Sequence, residues 1–408
     1  MNSQRCSKGK RYKNITSSLY GVYLKPIIIC IFTSLCFFSG YTVANNEQTL
    51  TLETLKNHYN GHFKVGVAIN ESILNGNSPK LTDIVTTQFN SITLENAMKA
   101  DVVNPTRSYY EFTEADNFVE FGLQHKMFII GHTLVWHNQT PDWFFLQPDN
   151  SANSSEQQLD RMKQHIKLVA GRYAGKVDAW DVVNEVIGED GYYRQTNWVK
   201  AVGDGDKLVK YAYQFAAEYA PNTELYYNDF NAWRPNKRDG IIRMVKLLQD
   251  EGIRIDGIGI QAHWGLNYPE IEQIEAAIDA YAALGLKVMI TELDIDVLPF
   301  TKHGQVIGQA FSHPQFQLSE FKAYLDPYRD GLPNSVQVQL TKRYQALFEL
   351  FYRKKDKIDR VTFWGVHDTM SWKNDYPIPQ RTNYPLLWNR DLSYKPALTS
   401  ILNIPKIQ

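Results

Sequence analysis

Cysteine is nearly missing from this 408-residue chain: its three copies, Cys6, Cys30 and Cys36, all lie near the N-terminus. Beyond them neither a disulfide nor a thiolate metal site is possible. An excess of positive charge is missing too, with 43 Lys and Arg against 44 Asp and Glu. That argues against nucleic-acid binding, which needs a basic face. Long apolar runs are lacking. The uncharged stretch Pro26 to Ala44 has an apolar heart, Ile27 to Phe38, too short to span a bilayer comfortably. No linker rich in Pro, Gly or Ser divides the chain after Ala44, and no repeat is evident. No Gly-rich phosphate loop follows the first strand candidate, which counts against an open nucleotide-binding sheet.

Arg5, Lys8, Lys10, Arg11, Lys13 and Lys25 precede the apolar heart, and Thr42-Val43-Ala44 closes it. A basic region, a short apolar region and a small-residue end form a secretory signal peptide, with the cut placed after Ala44. An uncleaved anchor is the alternative. Cys36 has no lipoprotein box, because Thr33 stands where Leu is expected. Removing 1–44 takes six basic residues of the 43 and none of the 44 acids, so the remainder carries −7. All three cysteines go with it. Residues 45–408 are expected to form one domain, secreted to the periplasm or the medium.

What is abundant is aromatic: 13% of residues, with nine Trp and 24 Tyr. Flat indole and phenol faces suit stacking on flat ligands, although large cores use them too. Short β-rich runs alternate with longer amphipathic ones. The strand candidates are Lys64–Ile69, Asn90–Glu95, Met127–Trp136, Val177–Glu185, Glu224–Phe230, Gly257–Trp264, Lys287–Glu292 and Arg360–Val366. Helical spacing runs through Leu159–Tyr173, Val199–Tyr219, Lys237–Asp250, Glu270–Leu284 and Val338–Lys357. Eight such strands predict an α/β fold with a parallel sheet closed into a (β/α)8 TIM barrel. A doubly wound open sheet is the structural alternative. The long irregular stretch Val297–Ser335 is expected to be a functional loop.

Polar and aromatic residues collect at the C-terminal ends of these strands. Glu95, Asn96 and Lys99 follow the second. His132, Trp136 and His137 end the third, Asn184 and Glu185 the fourth, and Tyr227, Asn228 and Asp229 the fifth. Gln261 and His263 end the sixth, Glu292 and Asp294 the seventh, and Trp364, His367, Asp368 and Trp372 the eighth. In a barrel these ends converge on one face, where active sites lie. Glu185 and Glu292 each close an apolar strand, where solvation is limited. A single such acid is commonly an ion-pair partner, but two on convergent strands fit glycoside hydrolysis, which needs one protonated and one ionised carboxyl group. Strand alternation places Gln261 with His263, and Glu292 with Asp294, so His263 is positioned to keep Glu292 ionised. A metal site of His132, His137 and His263 is the rival, on a spacing that matches no strong ligand pattern. Trp136, Trp364 and Trp372 are placed to wall a cleft. Trp180 and Trp388 are expected in the core.

These residues resemble the family 10 glycoside hydrolases, the endo-β-1,4-xylanases. The matching motifs are Gly131-His132-Thr133-Leu134-Val135-Trp136-His137-Asn138-Gln139-Thr140-Pro141-Asp142-Trp143, Trp180-Asp181-Val182-Val183-Asn184-Glu185 and Gly257-Ile258-Gly259-Ile260-Gln261-Ala262-His263. Ile290-Thr291-Glu292-Leu293-Asp294, Trp364-Gly365-Val366 and Ser371-Trp372 complete the set. The resemblance covers roughly Phe63 to Ile401, and its motifs are specific as an ordered set.

The resemblance implies a retaining hydrolysis of internal β-1,4 bonds in xylan or xylo-oligosaccharides, with the two carboxyl groups roughly 5–5.5 Å apart. Glu185 would be the acid/base and Glu292 the nucleophile, with His263 and Asp294 behind it. Asn184 would bond a sugar 2-hydroxyl. Glu95, Asn96, Lys99, His132, Trp136 and Gln261 would line the glycone side, under Trp364 and Trp372, and Tyr227 would sit on the aglycone side. Within the long loop, Tyr324-Leu325-Asp326-Pro327-Tyr328 is placed to cover the aglycone end. No cofactor, metal, nucleic acid or membrane partner is expected, and the protein is expected to be a monomer. The carboxylates alone leave open a related β-glucanase or galactanase, and a noncatalytic carbohydrate-binding barrel.

Overall fold

The computed structural model describes residues 53–298, 325–376 and 378–405. Runs rich in Val and Ile form the strands: β1 Lys64–Ile69, β2 Ser91–Leu94, β3 Phe128–Val135, β4 Ala179–Asn184, β5 Glu224–Asp229, β6 Gly257–Ile260, β7 His263–Gly265, β8 Lys287–Asp296 and β9 Ile358–Phe363. All pairings between them are parallel. β1 lies between β2 and β9, and β6 pairs with β8, which closes eight strands into a barrel. The short β7 is an extra rung beside the end of β8. This is the (β/α)8 architecture expected from the sequence, with the eighth barrel strand numbered β9.

Two of the sequence expectations need correction. The run Gly257–Trp264 is two strands, because Ala262 adopts φ +67° and interrupts the extension. The run Val199–Tyr219 is two helices, Asn197–Val202 and Gly205–Tyr219, divided where Gly203 turns at φ +89° and Asp204 caps the second helix. Elsewhere the amphipathic runs are helices close to their expected bounds, including Ser155–Arg172, opened by a capping box of Ser154 and Gln157, and Pro235–Asp250. No helix of the described residues is long and apolar enough to cross a membrane.

Strand alternation divides the packing into two cores. A small inner cluster of Ile130, Ala179, Tyr226 and Met289 comes from four barrel strands and fills the barrel. The buried guanidinium of Arg360 lies 5.6 Å from the ring of Tyr226. The large outer cluster joins strands to helices and contains both Trp180 and Trp388. Above the inner cluster the inward positions become polar: Asp181, Asn228, Thr291 and His132 are all buried.

Of the stretch 297–335, residues 299–324 lie outside the described residues. The adjoining segment is tied to the loop after β9: Asp326 accepts from the Thr382 N–H at 2.8 Å, and the Tyr384 hydroxyl donates to the Tyr328 carbonyl at 2.9 Å.

Gly131 faces outward against Trp180. A Cβ there would lie 2.2 Å from the indole. Gly131→Ala is therefore expected to destabilise the fold by about 1–3 kcal/mol, because the fully buried Trp180 has nowhere to move. Urea unfolding of the variant checks this, and an unchanged midpoint would contradict it.

Candidate active site

At the C-terminal mouth of the barrel, β8 presents Glu292 and Asp294 two residues apart, so both side chains emerge on one face. His263, the first residue of β7, lies between them. Its Nδ1 is 3.0 Å from Asp294 Oδ2 and its Nε2 is 3.0 Å from Glu292 Oε2. Burial pulls the imidazole pKa down, but the Asp294 charge and the bonds to both carboxylates outweigh it and hold it up at about 9. The ring is therefore a cation at neutral pH. Trp372 donates its indole N–H to Asp294 at 2.9 Å and packs edge-on against His263.

The other oxygen of Glu292 accepts from the Asn228 amide at 2.7 Å. The Thr291 hydroxyl donates to the Asn228 oxygen at 2.6 Å, which fixes that amide's orientation. Both oxygens of Glu292 are thus occupied, and the residue is 5% exposed. Gly259 makes room for this arrangement, since a Cβ there would lie 2.4 Å from Asn228 Oδ1.

Glu185 follows β4 directly and is held differently. Its N–H donates to the Asn228 carbonyl at 2.9 Å, so one residue of β5 touches both acids. Its side chain accepts from Gln261 Nε2 at 2.9 Å. Burial pushes its pKa up. The Gln261 bond, the His137 charge and the Trp136 indole oppose this, and the net position is below the ordinary glutamate value. Asn184 lies between the two acids. With its amide turned so that the oxygen accepts from Trp136 Nε1 at 3.1 Å, its nitrogen donates to the Asn228 carbonyl at 3.0 Å.

The remaining expected residues form one wall. Lys99 donates to Asn96 at 2.8 Å and Gln139 at 2.9 Å, and its ammonium lies 4.8 Å from the Trp136 ring centre. Burial pulls the Lys99 pKa down, while Glu292, Glu95 and Glu185 pull it up. Glu95 accepts from Asn70 at 3.1 Å, and burial pushes its carboxyl up. His132 is bound to Asp181 at 2.9 Å and sits edge-on to Trp364. His132 and His263 are thus committed to carboxylates. Among the described residues no three His, Cys, Asp or Glu side chains are grouped to hold a metal ion.

Tyr227 is the exception. It alternates with Tyr226 and Asn228, whose side chains point into the barrel, so it points outward. It has no exposed surface, and its hydroxyl is bonded to Asp229 and to the Ile187 N–H. It supports the site from behind and does not face the cleft. Two nearby residues, Phe230 and Tyr376, are not among the expected site residues, and Asp368, expected at the end of the last strand, has a role the sequence does not show. Phe230, partly exposed beyond β5, carries Arg194 over its ring at 4.8 Å. Tyr376 is 41% exposed and stacks on Trp372 with ring centres 5.0 Å apart. Asp368 forms a fully buried ion pair with Lys395 at 2.8 Å, which anchors the loop carrying Trp372. Only the position of Tyr376, four residues after Trp372, offered a signal.

The profile of glycosyl hydrolase family 10 matches residues 54–404. Endo-1,4-beta-xylanase A of Xylanibacter ruminicola is 39% identical over 364 residues, which cover 89% of this chain and 95% of that protein. A GH10 endoxylanase from a sugarcane soil metagenome superposes with a TM-score of 0.80 at 39% identity, over 87% of this chain and 100% of that one. A mutant solved in complex with xylotriose gives a TM-score of 0.75 at 34% identity, over 86% of this chain and 99% of that one.

The raised pKa of His263 links stability to pH. Its contribution is fully present below about 6.5, the value expected on unfolding, and is lost as pH rises through about 9. The wild type is expected to lose roughly 3 kcal/mol from this group between those limits. His263→Gln should show a flatter dependence. Parallel pH profiles of the two proteins in urea would contradict the assignment.

Proposed function

Because this chain belongs to glycosyl hydrolase family 10, we propose that it is a retaining endo-β-1,4-xylanase with Glu292 as nucleophile and Glu185 as acid/base. The observation that carries this division is the unlike environment of two acids joined through Asn228. Glu292 has one oxygen against the imidazolium of His263 and the other against the Asn228 amide N–H. Glu185 accepts from the neutral amide of Gln261, with the Trp136 indole and His137 also acting on it, and has no imidazolium wedged between it and a second carboxylate.

In the first step a Glu292 oxygen bonds to the anomeric carbon while the glycosidic C–O bond breaks. Glu185 gives its proton to the departing oxygen. Of the influences on Glu185, burial is the one that favours the protonated form this step needs. In the second step Glu185 takes a proton from water, which attacks the anomeric carbon and frees Glu292. Asn184 lies between the acids, within reach of a sugar 2-hydroxyl. Glu95, Asn96, Lys99, His132, Trp136 and Gln261 hold the glycone side, roofed by Trp364 and Trp372. On the aglycone side Phe230 replaces Tyr227 as the aromatic candidate.

We read residues 1–44 as a secretory leader, which would deliver a monomer outside the cytoplasm to meet its polymer. Intact-mass measurement of the exported protein should find Asn45 as its first residue.

Removing the acid/base should lower the rate about 10²–10⁴-fold on poor leaving groups. Glu185→Ala is expected to keep most of kcat/KM on an activated aryl xyloside, while its kcat falls with the unassisted second step and is rescued by azide. Glu292→Ala should be inactive on every substrate, and normal turnover by it would refute the assignment. A reducing-sugar assay on xylan, cellulose, mixed-linkage glucan and galactan fixes the substrate. A preference for any of the last three would overturn the xylanase reading.

A further inference from the structure

Glu185 sits at φ +58°, a region that residues with a Cβ rarely occupy. Something must hold the chain there. On the entering side its own N–H is fixed to β5 through Asn228. On the leaving side the fixed point is Ile187, two residues on. The Ile187 N–H donates to the Tyr227 hydroxyl at 3.1 Å, and that hydroxyl donates to Asp229 Oδ2. A phenol has one proton, so the direction of the chain is set: backbone N–H to phenol, phenol to carboxylate. The other Asp229 oxygen lies 2.7 Å from Lys237 Nζ, and neither side chain has any exposure. Lys237 comes from the first turn of the helix Pro235–Asp250.

Arg194 grips the same segment from the other side. Its Nε donates to the Ile187 carbonyl at 3.2 Å, and its N–H to the Val186 carbonyl at 2.9 Å. A buried ion pair is weak support for a fold, since an apolar pair of similar volume commonly serves as well. Here the pair backs a neutral phenol whose oxygen accepts from one backbone amide beside the acid/base. Burial pushes the Asp229 carboxyl up, the Lys237 charge pulls it down, and Glu185 itself adds to the upward push.

We propose that Tyr227, backed by Asp229 and Lys237, is a positioning residue that holds the turn at Glu185 and so aims its carboxyl at the leaving oxygen. This rests on the acid/base assignment of Glu185 made above. Tyr227 touches no substrate. Its hydroxyl fixes the peptide that follows the acid, and losing it would leave the buried Ile187 N–H without a partner. The acid would then be misplaced while the nucleophile, held by Asn228 and His263, keeps its position.

The test is Tyr227→Phe, measured as kcat/KM on aryl β-xylobiosides of graded leaving-group pKa, beside the wild type and Glu185→Ala. The expected result is a loss of about tenfold with xylan and unsubstituted phenyl, shrinking to under about threefold with a dinitrophenyl group that needs no proton. Asp229→Asn keeps the strut's shape but not its charge. It should give the same graded pattern at smaller size, and it carries the test if Tyr227→Phe does not fold. A loss equal across the series, or no loss, would overturn the proposal even if Glu185→Ala behaves as an acid/base variant. A flat series for Glu185→Ala would instead overturn the underlying assignment, and the strut's purpose with it.

Discussion

An imidazolium buried between two carboxylates is the constraint around which this site is built. His263 reaches Glu292 with one nitrogen and Asp294 with the other, each at 3.0 Å. The ring fixes the spacing of the two carboxyl groups and leaves Glu292 as the one at the cleft. The arrangement makes demands elsewhere. β8 must extend through Asp296 so that Glu292 and Asp294 share a face. The chain must break at Ala262 so that His263 can start a new rung. Trp372 must reach Asp294 from the loop after the last strand, and the Asp368–Lys395 pair anchors that loop.

The second carboxyl group is governed by backbone geometry more than by charge. Glu185 is tied to β5 through its own amide, in a left-handed conformation at the end of β4. The nucleophile candidate is held at both side-chain oxygens, one of them by an imidazolium, and the acid/base candidate at the peptides around it and by the neutral Gln261 amide. That difference suits the two tasks. A nucleophile must stay charged and aimed. An acid/base must change its protonation state in each step, and strong side-chain bonds would hold it in one form.

Much of this was legible in the sequence, and the failures have physical causes. The barrel followed from eight β-rich runs, because buried parallel strands are continuously apolar and stand out. The convergence of Glu185, His263, Glu292 and Asp294 followed from strand ends meeting on one face. Gly257–Trp264 was read as one strand because single-residue turns such as Ala262 leave no mark on an apolar run. Gln261 and His263 still reach the two acids, but by a turn and not by simple alternation. The resemblance puts Tyr227 on the aglycone side, but as the neighbour of the inward Asn228 it alternates outward. Phe230 was passed over because an apolar ring after a strand looks like core. The Asp368–Lys395 pair is 27 residues apart in sequence, beyond the reach of any local pattern.

The account stands on Glu292 being the atom donor to the anomeric carbon. A 2-deoxy-2-fluoro xylobioside with an activated leaving group tests this directly, since the fluorine slows the second step and lets the covalent intermediate accumulate. Peptide mass spectrometry of the inactivated protein should find one fluoroxylobiosyl group, attached to Glu292. A label on Glu185, or turnover of the reagent with inversion and no adduct, would contradict the assignment at its root.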